Sequence, residues 1–257
     1  MLADMLDVEI LGRTAVLTLN RPEARNAIDG ETATALEAAV DRIEADDEVW
    51  TAVLTGAGGM FSAGADLKVL SAGRDKELFT KRGNFGGFVL LPRTKPVIAA
   101  VEGPALAGGC ELALACDLIV SSTTARFGLP EVKRSLVAAA GGLARLPRVL
   151  PPQVAAHMLL TGDPIDGQRA YDLGMVCELT QPGGALEAAL ALASKLNANA
   201  PLAVRHTARI LREAADRTFD ETFKEGRAAI RELLASDDYR EGPRAFVEKR
   251  APVWTGK

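Results

Sequence analysis

In the first two thirds of the chain, short continuous apolar runs alternate with stripes at helical spacing. Residues 8–11 and 15–19 read as two strands of a hairpin that turns at Gly12-Arg13. Thr32, Leu36, Ala39, Val40 and Ile43 follow at helical steps. Residues 50–55, 97–101 and 118–121 are apolar runs of strand length, and 108–116 reads as a helix between the last two. Strands buried on both faces show such unbroken runs, and their alternation with helices implies crossover connections in a mixed or parallel sheet. Residues 70–84 are polar and irregular and read as a mobile loop over a site entrance.

From residue 138 onward the pattern turns helical. Gly141-Gly142 precede an apolar helix that runs to residue 150, and Pro151-Pro152 end it and start the next, because proline suits a first helical turn but not an interior. Residues 175–178 read as a last short strand. Leu186, Leu190, Ala193 and Leu196 form one face of a further helix, and Pro201 opens another.

Composition narrows the class. The 257 residues are 48% hydrophobic and 25% charged, enough to bury a sizeable core. The net charge of −4 argues against bulk nucleic-acid binding. Cys110, Cys116 and Cys177 have neither disulfide-framework nor metal-ligand spacing, so no metal is expected. The acidic start of the chain lacks the basic region of a signal peptide, and no apolar stretch reaches membrane-span length; a cytoplasmic enzyme is the simplest expectation.

Two glycine-rich settings carry candidate chemistry. Ala107-Gly108-Gly109-Cys110-Glu111 and Phe127-Gly128-Leu129-Pro130-Glu131 each set a carboxylate beside backbone that a ligand can approach closely. That suits acid/base work on a carbonyl compound whose oxygen is held by backbone N–H groups, although glycines before a helix are commonly only a turn. A third loop, Thr55-Gly56-Ala57-Gly58-Gly59 through Lys68, fits neither nucleotide pattern: no Gly-Lys-Ser/Thr follows, and Phe61 stands where a dinucleotide fingerprint needs its third glycine. His157 and His206 lie in helical stretches away from these turns, which leaves a Ser-His-Asp triad little to work with. Trp50 and Trp254 read as packing residues.

These segments together resemble the enoyl-CoA hydratase/isomerase (crotonase) family. The likeness is carried by Asn20-Arg21-Pro22-Glu23-Ala24-Arg25-Asn26-Ala27, the Phe61–Lys68 loop, Pro96–Gly103, Ala107–Asp117, Phe127–Glu131, Leu160–Asp163 and the ending Glu241–Arg250, in the family's order and nearly end to end. The resemblance implies an α/β fold, a crotonase-like ββα spiral core over residues 1–195 with a C-terminal helical trimerisation region over 196–257. It also implies a homotrimer or hexamer, an acyl-CoA substrate and no separate cofactor, coenzyme A being part of the substrate.

Matched residue by residue, the resemblance makes the N–H groups of Ala65 and Gly108 the oxyanion hole, and Glu111 and Glu131 the acid/base pair. Ala24, Arg25 and Ala27, with Ala63, Ala65, Asp66, Leu67 and Lys68, would border coenzyme A, and Gly108 and Gly109 the acyl group. Arg25 and Lys68 could meet phosphate charge, as could Lys249 and Arg250 near the end of the chain, either from the same subunit or from a neighbouring one. Two glutamates resemble the hydratases, which add water across the 2,3 double bond of a 2-enoyl-CoA; isomerisation and a carnitinyl-CoA dehydratase-like reaction remain alternatives, and a non-catalytic CoA-binding scaffold is a third that the two carboxylates disfavour. Leu150-Pro151-Pro152 and the ending resemble the carnitinyl-CoA dehydratase branch, while Ala65 stands where that branch can carry a larger side chain. The family's Pro-Gly-Ala-Gly-Gly is here Ala138-Ala139-Ala140-Gly141-Gly142, and Ala139 takes the place of a glycine whose amide positions the catalytic water.

Overall fold

The computed structural model describes residues 5–257. β1 (Leu6–Leu11) and β2 (Thr14–Leu19) form the expected antiparallel hairpin, with Leu11 opposite Thr14 across the Gly12-Arg13 turn. Gly12 has φ +60°, the left-handed backbone such a tight turn needs. α1 (Gly30–Ala45) starts where the Asp29 side chain accepts the Thr32 N–H, and buries Thr32, Leu36, Ala39, Val40 and Ile43. It returns the chain to β3 (Thr51–Gly56), parallel to β2.

The next segment differs from the loop expected at 70–84. α2 (Leu67–Ser71), a 3₁₀ turn at Asp75–Leu78, and the two-residue strands β4 (Phe79–Thr80) and β5 (Asn84–Phe85) fill it. Leu78 and Phe85 are buried in the main core, so the segment is anchored by side chains that a polarity average conceals.

The core then repeats a strand–strand–helix unit. β6 (Val97–Val101), β7 (Pro104–Leu106) and α3 (Gly108–Ala115) make one turn; β8 (Leu118–Ser122), β9 (Arg126–Gly128) and a 3₁₀ helix at Pro130–Arg134 make the next. The first strand of each turn joins the large sheet and the second joins a small one. A parallel bridge between Ser62 and Ala105 gives the preceding β3–α2 turn the same course. α4 (Gly142–Val149), α5 (Pro152–Thr161), β10 (Ile165–Asp166), α6 (Gly167–Asp172) and β11 (Glu178–Thr180) complete the spiral. The large sheet runs β1-β2-β3-β6-β8-β11, parallel from β2 onward, and the small sheet runs β10-β9-β7. β11 starts at Glu178, where the residue 175–178 reading ended; Met175 and Val176 are core residues before it.

Alternation across the central strands feeds two layers. Val53, Ile98, Ala100 and Val120 face α7 (Ala185–Asn197), while Leu54, Val97, Ala99, Val101 and Ile119 join the main core. Each large apolar side chain so buried contributes about 1.5–3 kcal/mol relative to exposure. The buried line of α7 is Ala185, Ala189 and Ala193, flanked by Leu190 and Leu196, with Leu186 outside it. Small side chains let the helix sit close on its sheet neighbours, so the expected Ala193, Leu190 and Leu196 lie on its inner side with Ala185 and Ala189, and only Leu186 turns away. Asn197 ties its end to β2 and β3, accepting from Thr51 Oγ1 and donating to Thr14 Oγ1. A boundary at 195/196 therefore falls inside α7's last turn, and the chain leaves the core after it. α8 (Pro201–Ala214), α9 (Phe219–Leu233) and α10 (Asp237–Glu248) then bury few side chains.

The chain end folds back on α10. Buried Glu241 accepts from Arg250 Nη1 and Nη2, Arg244 Nη2 and the Val253 N–H. Asp238 accepts from Thr255 and Gly256, and Trp254 donates to the Ala198 carbonyl while its ring lies over Gly242.

Candidate active site

The candidate site is built around the start of α3, a helix whose eight residues are all buried. Ala107, just before it, has φ +50° and ψ −129°, a conformation alanine rarely adopts. Its N–H donates to the Gly128 carbonyl of β9, which fixes the turn against the neighbouring unit of the spiral. Gly108 follows at the first helical position, where a helix offers no acceptor for the N–H.

The 62–66 loop lies directly against this turn. A Cβ on Gly109 would collide with the Ser62 carbonyl, and one on Gly64 would lie 2.7 Å from the Gly108 nitrogen. The loop is held by Ser62, whose Oγ donates to the Asn26 carbonyl and accepts the Gly64 N–H. Ala65 sits in a parallel bridge with Ile28, in which Ile28 donates to Gly64 and Asp66 donates to Ile28. Among the described residues the Ala65 N–H has no acceptor. Two bare N–H groups on adjoining loops are thus available to an outside oxygen.

The space at Gly108 is not left for a ligand, contrary to the expectation drawn from its missing side chain. A Cβ there would run into Cε1 and Cζ of Phe85, the buried residue at the end of β5. Glycine at 108 answers to an aromatic ring already in place.

Both glutamates reach this region. Glu111, in the first turn of α3, is 3% exposed and its Oε1 accepts the Gly142 N–H at 2.9 Å. Burial pushes its carboxyl up to about 7; the Gly142 N–H opposes the shift, and the charge of Glu131 adds to it. Glu131, in the 3₁₀ helix after β9, is half-buried, and its Oε2 is shut off from solvent with no hydrogen-bond partner. Burial raises its carboxyl as well. An orphaned buried carboxyl oxygen is costly unless something arrives to meet it.

Ala139 departs from the water-positioning reading. Its N–H donates to the Val137 carbonyl at 2.8 Å, closing a three-residue turn, and is therefore engaged. The turn's free donation goes instead through Gly142 to Glu111.

The segments expected to border coenzyme A come together. Ala63 donates to the Arg25 carbonyl, and with the Gly64–Ile28 and Asp66–Ile28 bonds this zips residues 25–28 to 63–66. Ala27 is buried, Ala24 and Ala63 are half-buried, and Leu67 and Lys68 are exposed. Arg25 is exposed with φ +58°, and neither it nor Lys68 pairs with an acid among the described residues. Asp66 points inward instead: it caps α2 by accepting the Lys68 N–H and pairs with Arg21 at 3.1 Å, so it shapes the loop rather than facing a ligand. Arg21 also meets Asp29 and the Ala27 carbonyl, a clamp the sequence reading passed over although it lies within the quoted motif. Arg250 pairs with Glu241 and Glu248, and Lys249 is the exposed left-handed cap of α10.

Other expectations fell where the site is not. His157 is exposed on α5, and His206 lies on α8 with Glu232 3.3 Å away. Trp50 is buried under the Arg13 guanidinium, and Cys110 packs inside α3. Among the described residues, no helix is long and apolar enough to cross a membrane.

Comparison with known proteins agrees with this architecture. The profile of the Enoyl-CoA hydratase/isomerase family matches residues 9–257. Enoyl-CoA hydratase EchA19 of Mycobacterium tuberculosis is 42% identical over 251 residues, 95% of this chain and 94% of that protein. Carnitinyl-CoA dehydratase of Salmonella typhi is 40% identical over 247 residues, 94% of each chain. The crystal structure of an enoyl-CoA hydratase from M. tuberculosis H37Rv superimposes with a TM-score of 0.94 at 46% identity, covering 99% of this chain and 100% of that one. The spiral of strand–strand–helix units, the carboxyls of Glu111 on α3 and Glu131 on the following 3₁₀ helix, and the end-to-end likeness converge: the chain belongs to the enoyl-CoA hydratase/isomerase family.

Proposed function

We propose that this protein adds water reversibly across the 2,3 double bond of a 2-enoyl-CoA thioester. The observation that carries the reading is a buried carboxyl, Glu111, and a half-buried one, Glu131, whose Oε2 is shut off from solvent, together with N–H groups at Ala65 and Gly108 that find no acceptor among the described residues. The thioester oxygen takes both N–H groups, which stabilise the negative charge it gains as the double-bond electrons move toward it. A water between the carboxyls gives its proton to one as its oxygen bonds to the β-carbon. The other carboxyl delivers its proton to the α-carbon, and a 3-hydroxyacyl-CoA results.

Glu111 suits the proton-accepting role, because the Gly142 N–H stabilises its ionised form. Glu131, with a buried and unpartnered oxygen, suits the protonated role. Coenzyme A enters as part of the substrate, along the zipped 25–28 and 63–68 segments, and no separate cofactor is invoked. Three free cysteines suit a reducing compartment, in keeping with a cytoplasmic enzyme.

A panel of 2-enoyl-CoA thioesters of differing acyl length and headgroup, followed by loss of conjugated-thioester absorbance, tests the reading. A 3-enoyl-CoA arm reports isomerisation. Migration of the double bond without any hydration across the panel would replace the hydratase reading.

A further inference from the structure

The turn that donates to Glu111 is itself held from behind by one side chain. Arg145, on the first turn of α4, is half-buried; its Nη2 donates to the Val89 carbonyl at 2.6 Å and its Nη1 reaches the Ala140 carbonyl at 3.4 Å. Its backbone N–H donates to the Gly141 carbonyl at 2.8 Å. A Cβ on Gly141, which has φ +114°, would collide with Arg145 Nη1, so a side chain at 141 and the guanidinium exclude one another. The next residue, Gly142, gives its N–H to Glu111, and its own Cβ position lies 3.1 Å from Glu111 Oε1. The fork thus fastens residues 140–142 to the segment around Val89 and Phe85, the latter being the ring that abuts Gly108. One guanidinium connects the support of the acid/base pair with the support of the oxyanion hole.

We propose that Arg145 is a positioning residue for the reaction: it holds the 140–142 turn so that the Gly142 N–H aims at Glu111, and it supplies the cation that the buried Glu111 carboxylate faces. This rests on the hydratase reading. The charged and titratable groups around the pair can be named from each packed element. Glu111 faces Cys110 on its own helix, Glu131 from the 3₁₀ helix and Arg145 from α4. Arg145 faces Glu111, Cys116 at the end of α3, Arg148 on its own helix and the buried guanidinium of Arg93, from the segment that precedes β6. Burial pushes the Cys116 thiol up to about 12 and raises the Cys110 thiol too, which leaves both neutral in the working range. Arg145 is therefore the cation set against the charge of Glu111, and burial of that guanidinium is offset by the carboxylate it faces.

The test uses Arg145→Gln, which keeps a donor for Val89 but loses the charge, and Arg145→Lys, which keeps the charge but has a single ammonium in place of the fork. Readouts are kcat and KM for 2-enoyl-CoA hydration as a function of pH, and affinity for a saturated acyl-CoA by calorimetry. For Arg145→Gln the expected result is a kcat about ten- to a hundred-fold lower, near-unchanged acyl-CoA affinity, and an acid limb of the rate profile moved up by about one pH unit, because a lost cation disfavours ionised Glu111. For Arg145→Lys the limb stays in place while kcat falls several-fold. Folded Arg145→Gln with wild-type kcat and an unmoved limb would overturn the assignment. If Arg145→Gln does not fold, Arg145→Lys decides: a several-fold lower kcat with intact acyl-CoA affinity supports the proposal, and wild-type kcat overturns it. Wild-type protein that fails to hydrate any enoyl-CoA is a different result, the failure of the hydratase reading itself.

Discussion

Glu111 is a carboxyl that the fold keeps partly against its own stability. Its pKa is pushed up to about 7 from 4.5, so the stability it contributes is complete below about pH 4.5 and lost as pH rises through 7, where the buried group must ionise. Glu111→Gln removes that burden while Gln can still accept the Gly142 N–H. The variant should be more stable than wild type at pH 8 by about 1–3 kcal/mol and nearly equal to it at pH 4.5, as denaturant melts at the two values would show. A variant less stable than wild type at pH 8 would contradict the strained-acid description. Glu131→Gln should lower turnover roughly a hundred- to ten-thousand-fold with the fold and acyl-CoA binding kept. Turnover close to wild type on its best substrate would end the two-carboxylate mechanism. The wild-type profile of kcat/KM should rise with pH as the pair loses its first proton near 7, and fall again when the second leaves.

At the scale of elements, the glycine turns were legible because their chemistry is local: a left-handed or Cβ-free backbone has to be written into consecutive residues. What fills the space beside them was not. Phe85 lies more than twenty positions from Gly108, on a strand two residues long, and the polar residues around it masked the segment as a loop. Arg145 escaped for the same reason, since the Val89 carbonyl it meets lies fifty-six positions away and is brought to it only by the folded path of the chain. The pairing of Phe85 with Gly108 makes a direct prediction. Gly108→Ala should destabilise the chain by about 1–3 kcal/mol through overpacking, and Phe85→Leu should recover a good part of that loss. Simple additivity in the thermal melts of the double mutant would mean that the ring and the glycine are not coupled.

For the molecule as a whole, the continuous apolar runs gave the parallel strands because both faces of the large sheet are covered, while the spiral came only with the family likeness. Its cause is pairing between segments far apart, such as β7 with β9, which no periodicity records. The C-terminal third shows the opposite imbalance. Phe219 and Phe246 are 81% and 85% exposed, and Phe223, Ile230, Leu234 and Val247 are exposed with them on helices that bury little within the chain. Patches of this kind mark interaction surfaces, and a homotrimer or a pair of trimers is the proposed occupant. Light scattering at micromolar concentration should give a trimeric or hexameric mass, and a monomer would refute the assembly. The Glu241–Arg250 lock lies in this same region, so Glu241→Gln should loosen the chain end and weaken assembly before it touches the chemistry.

The unengaged amides of Ala65 and Gly108 make the site visible to isotopes. An amide inside the fold with no acceptor has no hydrogen bond to break before it exchanges, so both should take up deuterium far faster than the amides of β6 or β8 on either side. A bound acyl-CoA supplies the missing acceptor to both at once. The two should therefore slow together on titration with a saturated thioester, tracing one binding curve.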